Sequence, residues 1–204
     1  MTLGQRLVRL ATTATVRSPA LWRFFRAPLR RTFDRLAPEW DATRVDPLRL
    51  TAMSVALEAV ERPPARVLDV GTGTGAVARL AARLWPDAEV VGVDSSPAMI
   101  EEARRLASTD RERYVLGDAS ALPFPDASFD LVAQNNMIPF FDELARVAAP
   151  GGVVAVAYAR GPKTPIWVPL ERVRAELGRR GFSHVAQFAA GPGLSLLAKK
   201  ADRP

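Results

Sequence analysis

The nine residues VLDVGTGTG, positions 67–75, decide the fold. Val67, Leu68 and Val70 read as a buried strand with one acid, Asp69, near its end. Gly71, Gly73 and Gly75 follow at alternate positions, and the alanine-rich stretch after them has helical spacing. A strand that breaks into glycines and then starts a helix builds a small-ligand site. Glycine lets the backbone approach a ligand closely, and the first helical turn presents unpaired N–H groups.

Downstream of this loop, strand and helix alternate. Strands are expected over 66–70, 89–93, 113–116, 129–133 and 153–158, and helices over 75–84, 97–106, 140–148 and 169–180. Ser96 before Pro97 reads as a helix cap, Pro150-Gly151-Gly152 as a turn, and Gly181 as a helix stop. Strands over 183–189 and 194–199 are joined by a loop too short for a crossover, so they must be antiparallel. The expected fold is α/β and Rossmann-like: a mostly parallel seven-stranded sheet, helices on both faces, and a C-terminal antiparallel hairpin. Ligands in such sheets sit beyond the carboxyl ends of the strands.

Upstream, residues 1–60 read as a basic amphipathic helical segment preceding a ligand-binding domain over 61–204. Leu3, Leu7, Leu10 and Ala14 share a helical face. Ser18-Pro19 starts a second helix, and Leu21, Phe25, Leu29, Phe33 and Leu36 form a stripe that Pro28 interrupts. A third helix over 47–60 carries Leu50, Met53, Ser54 and Leu57 on one side and ends at Arg62-Pro63-Pro64.

Residues 1–33 hold seven arginines and no acid, which exceeds the chain's net charge of +6, so the remainder is close to neutral. That balance argues against nucleic acid as the partner of the core. The absence of cysteine excludes disulfides and thiolate metal sites, and a single histidine, His184, argues against a histidine metal site or a Ser-His-Asp triad, so no metal is expected. His184 reads as a half-buried structural histidine. No stretch reaches the ~18 apolar residues of a membrane span, and a cytoplasmic location is expected. Docking on the core is the expected arrangement of residues 1–33. Peripheral contact with anionic lipid and a transit peptide are the competing readings.

Asp94 ends the second strand and can accept both hydroxyls of a ribose. Asp118 follows the third strand, where a carboxylate can accept from an exocyclic amine while the N–H of Ala119 meets a ring nitrogen. Gly71-x-Gly73-x-x-Ala76 also matches the dinucleotide fingerprint, which makes an NAD-dependent oxidoreductase the natural competitor. Asp69 opposes that reading, because a carboxylate repels a pyrophosphate and suits a ligand with a positive amino group.

Five stretches in order carry a resemblance: VLDVGTGTG, VVGVDSSPAMIEEAR, LGDASALPFPDASFDLV, ELARVAAPGGVVAVAY and LGRRGFSHV with its hairpin. With FDRLAPEWD upstream, the chain resembles class I S-adenosylmethionine-dependent methyltransferases of the ubiquinone/menaquinone-type, small-molecule branch. The resemblance implies S-adenosylmethionine as cofactor and a small or lipid-like methyl acceptor. It implies that Asp69, Gly71, Thr72 and Gly73 hold the methionine end, Asp94 the ribose, Ser95 and Met99 the adenine faces, and Asp118 and Ala119 its edge. Gln134 would face the methyl-transfer centre. Ser95 departs from the larger apolar residue usual there, with Met99 and Leu122 as compensating neighbours. Asn135 to Phe140 lacks the adjacent Asn-Pro of amino-group methyltransferases and reads as acceptor wall. No catalytic base is assignable. Residues 1–60 become the candidate lid; Trp22, Phe24, Phe25, Phe33 and Trp40 either form its aromatic wall or, in the favoured reading, simply pack the N-terminal helices on the sheet. A catalytically silent cofactor-binding protein is the alternative.

Overall fold

The computed structural model describes residues 3–44 and 47–202, without the side chains of Leu3, Arg44 and Pro47. Seven strands form one sheet: β1 (Arg66–Val70), β2 (Glu89–Asp94), β3 (Glu112–Leu116), β4 (Phe129–Asn135), β5 (Ala148–Tyr158), β6 (Phe182–Ala190) and β7 (Gly193–Lys200). Their order is β3-β2-β1-β4-β5-β7-β6. The first five are parallel, and β7 runs antiparallel to both β5 and β6. This is the expected architecture, including the closing hairpin.

Buried runs of valine, leucine and alanine explain why the sheet is covered twice. On one face α4 (Pro47–Glu58), α5 (Ala76–Leu84) and α6 (Pro97–Leu106) pack Met53, Leu57, Ala81 and Ile100 against Val67, Val90, Leu131 and Ala155. On the other, α7 (Phe141–Val147) and α8 (Leu170–Gly178) pack Leu144, Val173 and Leu177 against Leu68, Val132, Val154 and Val156. α4 is tied in further by Ser195 Oγ, which donates to the Ala52 carbonyl at 2.7 Å.

Among the described residues no helix joins β3 to β4. The first part of the N-terminal segment lies on that side. It comprises α1 (Leu3–Arg17), α2 (Trp22–Leu36) and the short α3 (Trp40–Arg44). Trp22, Phe25 and Leu29 of α2 pack into the cluster that holds Val91 and Val93. Helix α2 is continuous through Pro28, which lies on its exposed side where solvent can serve the freed carbonyl. The buried member of the stripe is Trp22 rather than Leu21.

Helix α1 departs from expectation. Leu7 and Leu10 face solvent, 59% and 66% exposed, while Ala11, Thr12 and Thr15 are buried. Polar anchoring outweighs the apolar stripe: the Arg9 guanidinium donates to the carbonyls of Pro162, Thr164 and Pro165, and Arg172 donates to that of Val16. Two further local readings change. The Pro150-Gly151-Gly152 turn lies inside β5, because Phe129 pairs with Ala148 and Leu131 with Val153, so that residues 149–152 bulge out. His184 is exposed, not half-buried. It sits with φ +49° where β6 shifts register between Ser183 and Ala186, and this bulge turns it away from the sheet.

Candidate functional site

The glycine loop is pinned across the sheet end. The N–H groups of Gly71 and Thr72 donate to the Val93 carbonyl at 2.8 and 3.0 Å, and Gly73 N–H donates to Asp94 Oδ2 at 2.9 Å. The three glycines differ in what demands them. A Cβ on Gly75 would sit 2.5 Å from the Tyr114 hydroxyl, so that glycine serves packing. A Cβ on Gly73 would meet only Trp40 Nε1, at 3.9 Å, so its left-handed φ of +56°, and not crowding, calls for glycine there.

Asp94 ends β2 as expected and is only partly buried. Burial raises its pKa, opposed by N–H bonds from Ser96, Gly73 and Ser95, while nearby Asp34 adds to the rise. Ser96 caps α6 by accepting from Met99 N–H at 3.2 Å. Met99 is thereby fixed, fully buried, in the first turn of α6, with Ser95 half-buried beside Asp94.

Asp69 is 1% exposed and points away from solvent. Its Oδ2 accepts from Thr72 Oγ1 at 2.6 Å and from Ala78 N–H at 3.1 Å, which locks the loop to the first turn of α5. Burial pushes its pKa up to about 7, against those two hydrogen bonds, with Asp94 adding repulsion and Arg79 opposing it. A carboxylate held this way is charged at modest cost once a cation approaches.

At the end of β3, Gly117 N–H donates to the Asp94 carbonyl at 2.9 Å, which sets Asp118 beside the β2 end. Asp118 Oδ1 accepts from the N–H and hydroxyl of Ser120 at 2.9 and 2.8 Å. It also accepts from the Trp22 indole N–H at 2.9 Å. Ala119 and Leu122 are buried next to it.

β4 is two residues longer than expected, so Gln134 and Asn135 lie within the strand. Gln134 is 1% exposed, and its Oε1 and the Asn135 Oδ1 have no hydrogen-bond partner among the described residues. Buried polar atoms are almost always paired, so orphans at a strand's carboxyl end point to a ligand. Asn136 is structural: its Oδ1 accepts from Ala159 N–H at 2.8 Å and its φ is +54°. Met137 lies against Gly71, and Phe140 packs on Trp22 with centroids 5.5 Å apart. Tyr158, at the end of β5, is fully buried edge-on against Trp167 at 4.9 Å. Burial holds its hydroxyl pKa well above the usual range, so it is a donor and not a base.

Sequence reasoning missed how residues 22–41 reach the site. Asp34 Oδ1 accepts from Ser96 Oγ at 2.6 Å, Asp41 accepts from Thr74 Oγ1, and Arg79 pairs with Asp41 at 3.0 Å. Phe33 packs edge-on to Trp40 at 5.6 Å. The available signal was that Asp34 and Asp41 are among the first acids of an otherwise basic segment. Of the expected aromatic wall, Phe24 is 60% exposed and takes no part.

A methyltransferase-domain family matches residues 67–152. The chain is 40% identical over 145 residues to a malonyl-[acyl-carrier protein] O-methyltransferase of Halorhodospira halophila, covering 67% of this chain and 49% of that protein. It therefore spans about half the length of that relative. It is 34% identical over 161 residues to a demethylmenaquinone methyltransferase of Roseiflexus castenholzii, covering 71% of this chain and 68% of that one. A solved S-adenosylmethionine-dependent methyltransferase of Aquifex aeolicus shares the fold, with a TM-score of 0.65 at 20% identity over 83% of this chain and 97% of that one. The loop, the acids at the ends of β1, β2 and β3, and the identity to the Roseiflexus relative, covered over two thirds of its length, converge. The chain belongs to the class I S-adenosylmethionine-dependent methyltransferases of the quinone-type branch.

Proposed function

We propose that this chain transfers the methyl group of S-adenosylmethionine to a small or lipid-like acceptor. One observation carries the reading: the strand order β3-β2-β1-β4 lines up Asp118, Asp94, the glycine loop and Gln134 along one end of the sheet. Residues 3–44 cover that end, and the sheet with α4 to α8 forms the binding domain. In this reading the Gly71–Gly73 backbone and Asp69 receive the amino-acid end, Asp94 the ribose, Asp118 and Ala119 the adenine edge, and Ser95 and Met99 its faces. The residues present fit such a group: a buried acid for the ammonium, a cradle at Gly73 that a side chain would fill, and an orphaned Gln134 Oε1 on the acceptor side.

When bound, the sulfonium supplies an already activated methyl, whose bond to sulfur breaks as the bond to the acceptor forms. The protein's share is alignment and exclusion of water. Gln134 and Tyr158 stand on the same sheet face, since Gln134 pairs with Val156 and Tyr158 lies two residues beyond it. Both offer hydrogen bonds that orient an acceptor. The demethylmenaquinone relative supports a lipid-like acceptor. Titration calorimetry with S-adenosylhomocysteine and NADH tests the cofactor. Binding of NADH alone refutes the reading, and methylated product from an acceptor panel excludes a silent binding protein.

The exposed apolar residues of α1 and of the stretch that leads into α2 support peripheral contact with anionic lipid as part of this function. Leu7, Leu10, Leu21 and Phe24 are exposed among Arg6, Arg17 and Arg23, with no acid in residues 1–33. No helix among the described residues is long and apolar enough to cross a membrane. Surface contact is the mode these features fit.

A further inference from the structure

We propose that Trp22 is an internal competitor for the adenine subsite, so that cofactor binding and withdrawal of the α2 N-terminus are one event. The inference rests on the reading of Asp118 as the adenine acceptor. Indole and adenine are flat, fused bicyclic rings with an N–H donor at the edge. The Trp22 ring is 7% exposed, and its N–H reaches both oxygens of Asp118, at 2.9 and 3.2 Å. Its flank meets Phe140 edge-on at 5.5 Å. Arg26, one turn further along α2, adds its charge at 3.8 Å from the same carboxylate. A donor edge on Asp118, apolar faces and burial among Ala119 and Leu122 are what adenine would otherwise receive there.

Two further features make displacement workable. The ring has somewhere to go: a cavity of about 540 Å³ lies beside it, lined by Trp22, Pro19, Arg23, Phe140, Phe141 and Arg180. The rest of the cover is held separately, through Asp34 on Ser96 and Asp41 on Thr74 and Arg79. The α2 start can therefore bend away about Pro28, where the helix lacks one backbone hydrogen bond, while residues 34–41 stay on the ribose side. An ordinary lid would close over a bound ligand and become more protected. An internal competitor must leave, so the two predict opposite signs.

The test is S-adenosylhomocysteine titration of the full chain and of Trp22→Phe, which keeps an aromatic ring but removes the pyrrole half with its N–H, together with hydrogen exchange over residues 19–27. The indole bond to a charged group sets the population of the open state, so Trp22→Phe is expected to bind about ten-fold more tightly. Hydrogen exchange over 19–27 of the unsubstituted protein is expected to rise on binding. Equal affinity of the two proteins, or increased protection of 19–27, overturns the proposal while leaving the assignment of the site intact. Binding by neither protein, with both folded by circular dichroism, overturns the cofactor reading itself and the competitor with it.

Discussion

Asp94 Oδ2 accepts the backbone N–H of Gly73 at 2.9 Å, joining the β2 end to the glycine loop. One carboxylate thus shapes the loop and leaves its second oxygen on Ser96 N–H, also at 2.9 Å. Asp94→Ala removes both bonds and the proposed ribose acceptor. The expected result is a loss of S-adenosylhomocysteine affinity of about 100-fold and of stability of about 1–3 kcal/mol, read by calorimetry and urea unfolding.

Asp69 makes stability depend on pH in an unusual direction. Its folded pKa of about 7 lies above the ordinary 3.8. The unfolded chain releases this proton near pH 4, whereas the folded chain holds it to near pH 7. Between those values the unfolded state binds fewer protons, so this group's contribution to stability falls as pH rises and then levels off above pH 7. Asp69→Asn is expected to abolish that slope, a difference of a few kcal/mol between pH 4 and 8. Urea unfolding of both proteins across this range checks it. Ligand affinity should move the opposite way, weakening below pH 7 as the carboxylate takes up its proton.

Gly73→Ala and Gly75→Ala should separate function from packing. At Gly75 the new Cβ meets Tyr114 and the backbone is left-handed, so a destabilisation of about 2–4 kcal/mol is expected. At Gly73 the cost is backbone strain of about 1–2 kcal/mol, while S-adenosylhomocysteine binding weakens by at least about ten-fold as the cradle fills. Equal effects of the two on binding, after correction for stability, would count against the ligand role of Gly73.

Gln134→Leu removes an unpaired buried carbonyl. Stability should stay level or rise by about 1 kcal/mol. Turnover with an identified acceptor should fall while S-adenosylhomocysteine affinity changes less than about three-fold. A large loss of stability would show Gln134 to be structural.

Leu10→Glu changes only the outward face of α1. Its effect on melting should stay within about 0.5 kcal/mol. Co-sedimentation with phosphatidylglycerol vesicles should drop sharply and should weaken with added salt for the unsubstituted chain as well. Undiminished sedimentation would remove the lipid reading.

The order of strands and helices, the glycine loop and the acids at strand ends were legible because each has a local signature. Alternating burial, 3.6-residue spacing and glycine at left-handed positions act within a few residues. The expectation for Asp94 as a strand-end acid came from such a pattern, and so did that for Met99 at the start of a capped helix. Helix α1 shows where such signals fail. Its leucine stripe promised a buried face, but the Arg9 bonds to three carbonyls some 150 residues away turned the threonines inward.

The sequence by itself determined the sheet, the glycine loop at its end and the acids near the ends of β1, β2 and β3. Only the tertiary structure decided that Trp22 occupies Asp118, that Asp34 and Asp41 brace the loops, and that Leu7 and Leu10 face outward. The physical reason is range. Trp22 and Asp118 are 96 residues apart, and a hydrogen bond between a helix and a strand-end loop leaves no periodic trace in either segment.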